Sequence, residues 1–288
     1  MFPLSLPFYN ASGCHSTTHQ DLLDLAHSPC GAILTKSCTV SPRTGNPEPN
    51  YYFEPCDANS LHATGIPNRG IIETLNSVRK IHELNTNKPI IVSVIPLQFH
   101  DVAILANILR ENISYTQFPE LNLNCPNVPG KPQIANSPED FYYYLDEFSQ
   151  WFQHPFGIKL PAYNDSCFFD ILNNIIAHIP LVEYISCING IGVSYYKDVR
   201  TGLDRITPRG GIGCLGGNFC YPIMLGNVKS WKYYFPKHVI GVGGIDSVER
   251  INETLEVGAS AVQIGTHLQE HGTQIFNDFS SSFHKKTS

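Results

Sequence analysis

Short apolar runs rich in β-branched residues recur along the chain, and polar segments long enough to hold helices separate them. This pattern is typical of βα units built around a parallel sheet. Eight such runs are present: Pro7–Ala11, Gly31–Lys36, Pro89–Ile95, Glu120–Cys125, Phe156–Leu160, Val182–Ile188, Val239–Val242 and Ala261–Gly265. Because eight parallel strands can close on themselves, the pattern predicts an α/β fold of the (β/α)8 TIM-barrel class.

Helical spacing of apolar residues fills several gaps between these runs. The predicted helices are Ile71–Leu84, Val102–Glu111, Glu139–Trp151, Cys167–Ile179 and Ser247–Val257. Residues that favour helix N-termini, Asn164/Asp165 and Asp246/Ser247, stand at the start of the last two.

Two long stretches do not fit this alternation. Ser41–Gly70 contains five prolines and many asparagines, and Val193–Gly217 is rich in glycine and arginine. We expect both to be elaborated loops, and loops at the C-terminal ends of barrel strands are where active sites lie. No internal repeat or linker interrupts the pattern, so residues 1–288 are expected to form a single barrel domain.

The composition agrees with one large folded domain. A chain of 288 residues can form one α/β barrel, and 42% hydrophobic with only 15% charged residues excludes disorder. Its 19 basic and 25 acidic residues give a net charge of −6 without any basic block. Nucleic acid is therefore not an expected partner.

The start of the chain and the cysteines point to the cytoplasm. The first residues lack a basic segment, Pro3 and Pro7 interrupt them, and no apolar stretch of about 18 residues occurs. We therefore expect no membrane span. Nine cysteines without a CxxC pair lie mostly in apolar runs, as Cys30, Cys38 and Cys187 do, which is typical of reduced buried thiols.

Polar residues follow several predicted strands. They are Asn10–Gly13, Thr35–Ser37, Asn122–Asn127, Lys159 and Asn189. Burying so many amides and two lysines costs free energy unless a polar ligand satisfies them, which favours a flat ligand rich in hydrogen-bonding groups. For any one residue, a turn-capping amide or a solvent-reaching lysine explains the position equally well; for the whole set that alternative is much weaker.

Two glycine-rich segments near the end of the chain predict a phosphate site. They are Gly241–Ile245 and the pair Gly258…Gly265-Thr266. Glycine lets backbone N–H groups approach an anion, and the loops after strands 7 and 8 bind phosphate in many such barrels. Each segment alone is also compatible with a simple tight turn.

Cys125 is the candidate reactive residue, because its thiol directly follows a strand and is flanked by Asn122 and Asn127. A thiol there can act as general base or nucleophile, and the segment Val128–Pro132 after it resembles an active-site lid. The alternative is a buried structural cysteine. No His-plus-Asp set is recognisable as a catalytic partner of Cys125. The histidines lack the spacing of metal ligands, so we predict no metal site.

Eight motifs together resemble one known family. They are NASG (10–13), TKS (35–37), GNP (45–47), GIPN (65–68), ELNLNCPNVPGKPQ (120–133), GIKL (157–160), GVGGI (241–245) and QIGT (263–266). In this order they resemble class 1A dihydroorotate dehydrogenase, from the N-terminus to about Gln269. The resemblance implies an FMN-containing barrel that acts as a homodimer and oxidises dihydroorotate to orotate, with fumarate as electron acceptor.

The resemblance also implies roles for individual residues. FMN would be held by Ala11, Ser12, Gly13, Lys36, Ser37, Asn122, Lys159, Ile188, Gly216, Gly217, Gly243, Gly244, Gly265 and Thr266. The pyrimidine would be held by Lys36, Gly65, Ile66, Asn122, Asn127 and Asn189, and Cys125 would take the C5 proton. The amides match the donor and acceptor edges of a pyrimidinedione.

The chain departs from the family mainly on the substrate side. Where the family has NSMGLPN, either His62-Ala63-Thr64-Gly65 replaces the Asn-Ser pair, or Asn59-Ser60 supplies it before an insertion. The family's Asn-Ser after the sixth strand is Asn189-Gly190, and a family lysine is Thr207. Two alternatives therefore stay open: an FMN oxidoreductase acting on another small planar acid, and a catalytically silent paralogue.

Overall fold

The structure, a computed structural model, describes residues 4–13, 15–124 and 133–287. Within these ranges the strands are β1 (Phe8–Asn10), β2 (Ile33–Leu34), β3 (Tyr51–Glu54), β4 (Asn59–His62), β5 (Ile90–Ile91), β6 (Ser93–Val94), β7 (Glu120–Asn122), β8 (Phe156–Leu160), β9 (Val182–Cys187), β10 (Ile191–Tyr195), β11 (Ile212–Gly217), β12 (His238–Val242) and β13 (Ala261–Ile264). The helices are α1 (His19–His27), α2 (Ile71–His82), α3 (Phe99–Glu111), α4 (Pro138–Phe152), α5 (Ser166–Ala177), α6 (Cys220–Tyr234), α7 (Val248–Glu256), α8 (Thr266–His271) and α9 (Gln274–Thr287).

Each of the eight predicted apolar runs contains a parallel strand. Seven strands form one sheet in the order β1-β13-β12-β9-β8-β7-β6. The run Pro89–Ile95 is divided into β5 and β6, and β5 pairs with β2 in a separate two-stranded ladder. Every residue of β8 is buried, as expected for a parallel strand with both faces covered.

A side chain joins β1 to β2. The Asn10 amide donates to the Leu34 carbonyl at 2.6 Å, and the Leu34 N–H donates to Asn10 Oδ1 at 2.9 Å. Near the other end of β1, the Gly31 N–H donates to the Phe8 carbonyl at 2.8 Å. The described parallel strands are thus a seven-stranded sheet and a two-stranded ladder, where the sequence pattern predicted one continuous eight-stranded barrel.

The five predicted helices are present with shifted ends. Asp165 caps α5 by accepting from the Cys167 N–H at 2.9 Å, and Ser247 caps α7. Among the described residues, α1, α6, α8 and α9 were not predicted. Thr18 and the third helical residue of α1 form a capping box that could have indicated that helix. In α6, Pro222 and Gly226 weaken the helical signal.

The two stretches predicted as loops contain an antiparallel sheet, so that prediction was wrong. Its strand order is β10-β11-β4-β3, and we call these four strands the wall sheet. The prolines misled the prediction, because Pro49 and Pro55 flank β3 and Pro67 follows β4 without entering either strand. Proline at strand ends is compatible with a sheet.

The buried apolar side chains lie in one large cluster, a small one in the wall sheet, and the pair Ile66 and Ile95 with Leu97 packed against it. The large cluster combines the parallel strands with the helices around them. The small one consists of Leu61, Ala63 and Ile206, with Tyr52 and Tyr196 packed against it, and belongs to the wall sheet. In the described part of the chain, no helix is both long enough and apolar enough to cross a membrane.

Candidate active site

A cavity of about 420 Å³ lies between the C-terminal ends of the parallel strands and the wall sheet. Ala11 enters it after β1, Asn122 ends β7, Lys159 lies in β8, and Gly265 follows β13. Because parallel strands all end at the same edge of a sheet, residues far apart in sequence converge here.

The structure brings most of the sequence-predicted site residues together. Every residue predicted to hold FMN lines the cavity: Ala11, Ser12, Gly13, Lys36, Ser37, Asn122, Lys159, Ile188, Gly216, Gly217, Gly243, Gly244, Gly265 and Thr266. Of the predicted pyrimidine residues, Lys36, Ile66, Asn122 and Asn189 line it. Gly65 does not line it, and its carbonyl accepts from the Arg43 guanidinium. Cys125 and Asn127 lie outside the described residues.

Lys159 is positioned by a buried polar network below the cavity. Its side chain is buried, and its ammonium donates to Gln263 Oε1 at 3.3 Å. The Gln263 amide donates in turn to the Glu120 carboxylate at 3.0 Å, and the Ser186 hydroxyl donates to the same oxygen at 2.7 Å. Glu120 is fully buried, and its Oε2 accepts both of these hydrogen bonds, as a buried polar atom requires.

A set of amides occupies the floor where β7 and β9 end. The Asn189 amide donates to Asn122 Oδ1 at 3.3 Å and to the Asn124 carbonyl at 2.6 Å. The Asn122 amide donates to Ser37 Oγ at 3.1 Å. Asn189 therefore positions its neighbours with both amide hydrogens, and its Oδ1 accepts from the Gly190 N–H at 3.1 Å.

Glycines line the cavity in three segments, Gly216–Gly217, Gly243–Gly244 and Gly265, and at the single positions Gly13 and Gly190. A Cβ at Gly216 would stand 2.7 Å from Ser60 Oγ and 2.9 Å from Thr266 Oγ1, so only a bare backbone fits there. Gly244 has a φ of +68°, which disfavours any other residue. The role predicted for Gly258 in a loop after the last strand was wrong, because Gly258 precedes β13 and packs on Lys232.

Arg250 ties two of these glycine segments together. Its Nη1 donates to Asn218 Oδ1 at 2.6 Å, to the Gly244 carbonyl at 2.7 Å and to Asp246 Oδ2 at 3.0 Å. The guanidinium also lies 4.6 Å from the centre of the Tyr221 ring. We call this arrangement the Arg250 clamp. Sequence analysis missed it because Arg250 lies on α7, behind the cavity.

The wall sheet supplies the side of the cavity opposite the parallel strands. Tyr51, Phe53, Ser60 and His62 alternate along β3 and β4 and all line the cavity, whereas the intervening Tyr52 and Leu61 lie in the small apolar cluster. This alternation is the period of two expected for a two-faced strand. It is visible in the sequence and could have predicted these lining residues.

His62 is a neutral imidazole in this wall. It lies opposite Cys214 of β11 and Tyr51 of β3 in the strand register. Burial, and then the positive charge of Lys36, lowers the pKa of His62 to about 4. The ring is therefore uncharged near pH 7, with one nitrogen as donor and the other as acceptor.

Helix α8 closes another side of the cavity. The Tyr51 hydroxyl donates to Glu270 Oε1 at 2.6 Å, which joins the wall sheet to α8. His267 and His271 of α8 also line the cavity, with ring centres 4.6 Å apart. Sequence analysis predicted none of these three α8 residues, because their position depends on the fold around the strand before them.

Two thiols, Cys220 in the cavity lining and Cys187 at the end of β9, are held in the protonated form. Burial raises the pKa of Cys220 to about 12 and also raises the pKa of Cys187, although Lys159 acts in the opposite direction on Cys187. Among the described residues, no group of three or more His, Cys, Asp or Glu side chains could hold a metal ion. The arrangement suits a planar anionic ligand that is held by amides, ammonium groups and backbone N–H groups.

Comparison with known proteins points in one direction. The protein-family model described as Dihydroorotate dehydrogenase matches residues 3–286. A protein of Trypanosoma brucei brucei named dihydroorotate dehydrogenase (fumarate) is 38% identical over 277 residues, which cover 94% of this chain and 87% of that protein. Proteins with the same name from Trypanosoma cruzi and Saccharomyces cerevisiae are 38% and 39% identical, over 94% of this chain and 86% of each of them.

Proposed function

Because the chain belongs to the dihydroorotate dehydrogenase family, in its fumarate-dependent class 1A, we propose that it oxidises dihydroorotate to orotate in pyrimidine biosynthesis, with FMN as cofactor and fumarate as electron acceptor. The observation that carries the proposal is the cavity. It gathers the strand-end amides, two lysines and three glycine segments in one place, although they come from distant parts of the sequence.

The described residues fit FMN. A flavin phosphate needs backbone donors at close range, and Gly217, Gly243 and Gly244 line the cavity next to the first turn of α6. Gly216 also lines the cavity, with the Ser60 and Thr266 hydroxyls beside it. Lys36 and Lys159 supply positive charge for a ring system that becomes more negative on reduction.

When bound, FMN supplies the redox chemistry by accepting a hydride from C6 of the substrate. The remaining tasks belong to the chain. Lys36, Asn122 and the Oδ1 of Asn189 hold the polar edges of the pyrimidine. The Glu120–Gln263 network keeps the Lys159 ammonium fixed beneath the site. Cys125, which lies outside the described residues, takes the C5 proton in this proposal.

We extend the proposal to the fold and the assembly. The β2–β5 ladder would close the parallel sheet into an eight-stranded barrel, supported by the Asn10–Leu34 hydrogen bonds on one side and the parallel bridge between Cys38 and Val94 on the other. We also propose that the protein forms a homodimer and acts in the cytoplasm. Sedimentation velocity at micromolar concentration tests the dimer, and a single monomer boundary would refute it.

The decisive experiment is anaerobic mixing of the purified protein with dihydroorotate while the visible spectrum is recorded. We expect FMN to co-purify without a covalent bond, its visible absorbance to bleach on adding dihydroorotate, and fumarate to restore it. A protein that stays colourless after incubation with FMN would refute the cofactor. A flavin that dihydroorotate leaves oxidised, while another planar acid reduces it, would refute the substrate.

A further inference from the structure

His62 is placed to contact whatever fills the substrate side of the cavity. It lies in β4 and lines the cavity together with Ser60. Asn59 does not line it, because its Oδ1 accepts from the Phe219 N–H at 2.9 Å and its side chain is fully buried elsewhere. Of the residues that the sequence left as alternatives here, His62 is thus the one with a large polar group in the cavity.

Gly190 lies beside the His62 ring, with little space between its backbone and the imidazole. A Cβ at Gly190 would stand 3.1 Å from His62 Cε1, 3.2 Å from His62 Nε2 and 3.0 Å from Cys214 Cβ. Gly190 does not have a positive φ, so its backbone conformation is open to other residues. A side chain at this position would therefore need Cys214 or the imidazole to shift by a few tenths of an ångström, and the imidazole occupies much of the available space.

The His62 ring is available to a ligand. No described residue donates a hydrogen bond to the ring or accepts one from it. Burial and the charge of Lys36 keep the ring neutral and lower its pKa. His62 is only partly buried, so its ring is open to the cavity, and its one donor and one acceptor can pair with complementary groups of a ligand.

We propose that His62 and Gly190 form a substrate-binding pair, in which the imidazole hydrogen-bonds to a polar atom of the dihydropyrimidine and Gly190 leaves the room that the imidazole needs. This inference rests on the proposed function for the identity of the substrate. It also connects the two departures of the sequence from the Asn-Ser pattern, since the residues that differ contact each other in space.

A double-mutant cycle tests the pair through His62→Asn, Gly190→Ser and the combined variant, with His62→Ala as a deletion. The main readout is the Kd of orotate, measured from the change in flavin absorbance, and the second is the Tm of each protein. We expect His62→Ala to raise the Kd by about 10-fold, which is the effect of one lost hydrogen bond. Gly190→Ser should raise it by about the same factor, because the added side chain displaces the imidazole from the position of that hydrogen bond. The combined variant should return to within about 3-fold of wild type, because asparagine is smaller and the serine hydroxyl adds a donor.

Two matched controls separate this effect from general damage. Gly226→Ser adds the same hydroxymethyl group where a Cβ meets nothing within 4 Å. His178→Asn changes an exposed histidine at the end of α5. Both should leave the Kd and the flavin content unchanged. The Tm of Gly190→Ser should be lower than that of the combined variant, which detects the steric conflict without any use of activity.

The outcomes distinguish the two levels of the proposal. If dihydroorotate does not reduce the flavin of the wild-type protein and orotate does not bind to it, both the proposed function and the pair are overturned. If dihydroorotate reduces the wild-type flavin normally, either of two results would overturn the pair alone. One is a Gly190→Ser variant with the orotate Kd of the wild type. The other is a combined variant whose Kd rises by the product of the two single rises.

Discussion

Replacing Arg250 with alanine is expected to weaken FMN binding, although this side chain is not among those lining the cavity. The substitution removes the hydrogen bonds that the Arg250 clamp makes to Asn218, Gly244 and Asp246, and the stacking on Tyr221. Asn218 and Gly244 belong to the segments that carry the proposed phosphate site. Without the clamp, these segments must be ordered by FMN itself when it binds.

The magnitude follows from the contacts. Nη1 carries only two hydrogens for its three acceptors, so two hydrogen bonds count at full strength, at about 1 kcal/mol each. The side chains of the ion pair to Asp246 are 28% and 30% exposed, so it adds less than about 1 kcal/mol. Stacking on Tyr221 adds about 0.5 kcal/mol. The sum, at most about 3.5 kcal/mol, sets an upper limit of roughly 300-fold on the change in FMN Kd.

Because the two segments keep other contacts, we expect a rise of about 10- to 100-fold in the FMN Kd. The assay is fluorescence quenching of free FMN on titration with the apoprotein. Arg250→Lys should be intermediate, since an ammonium keeps the charge but not the planar group that stacks on Tyr221. Arg69→Ala is the matched control, because both side chains of the Arg69–Glu73 ion pair are exposed to solvent.

One result would refute this reasoning. If Arg250→Ala lowers the Tm but binds FMN within about twofold of wild type, the clamp stabilises the fold and does not organise the cofactor site. An equal loss of FMN affinity in Arg69→Ala would point to long-range electrostatics instead of the specific contacts.

Three further predictions concern the site itself. Cys125→Ala should keep FMN but slow flavin reduction by about 10²- to 10⁴-fold, and Cys125→Ser should recover only as pH rises; wild-type reduction rates in the alanine variant would exclude Cys125 as the base. Lys159→Ala should weaken both FMN binding and flavin reduction, because it removes the ammonium that Gln263 holds beneath the site; unchanged spectra and rates would remove Lys159 from the site. The pKa of His62 is about 4 in the folded chain, against about 6.5 when unfolded, so the unfolded chain takes up the proton first and the free energy of unfolding should fall as pH drops from about 6.5 to about 4. Urea unfolding at several pH values should show a flatter dependence for His62→Asn, and an unchanged slope would contradict the assignment.

The parallel strands could be predicted from sequence because both of their faces are buried. A run such as Phe156–Leu160 is uninterrupted by turn residues, and the structure has a strand with the same bounds. Strand-end residues such as Asn122 and Lys159 could then be grouped, since the ends of parallel strands converge. The junction of β1 and β2 could not be foreseen, because a single side chain, Asn10, makes hydrogen bonds that a backbone ladder would otherwise make.

The rest of the site depends on contacts between distant segments. Tyr51 meets Glu270 only because β3 pairs with β4, β4 with β11, and α8 packs beside them. Arg250 acts from a helix behind the cavity. The alternation along β3 and β4 was readable, but the dense prolines and asparagines around it favoured a loop.

The small apolar cluster on the outer face of the wall sheet makes that sheet partly independent of the parallel strands. Lys159 and the Glu120 network stand on one sheet, while His62 and Ser60 stand on the other. Substitutions on β3 and β4 can therefore be accommodated by Leu61, Ile206 and their neighbours, while the parallel-strand packing around Lys159 is kept. Because the two sheets carry different residues of the site, substrate preference can change in evolution through the wall sheet while the residues on the parallel strands stay the same.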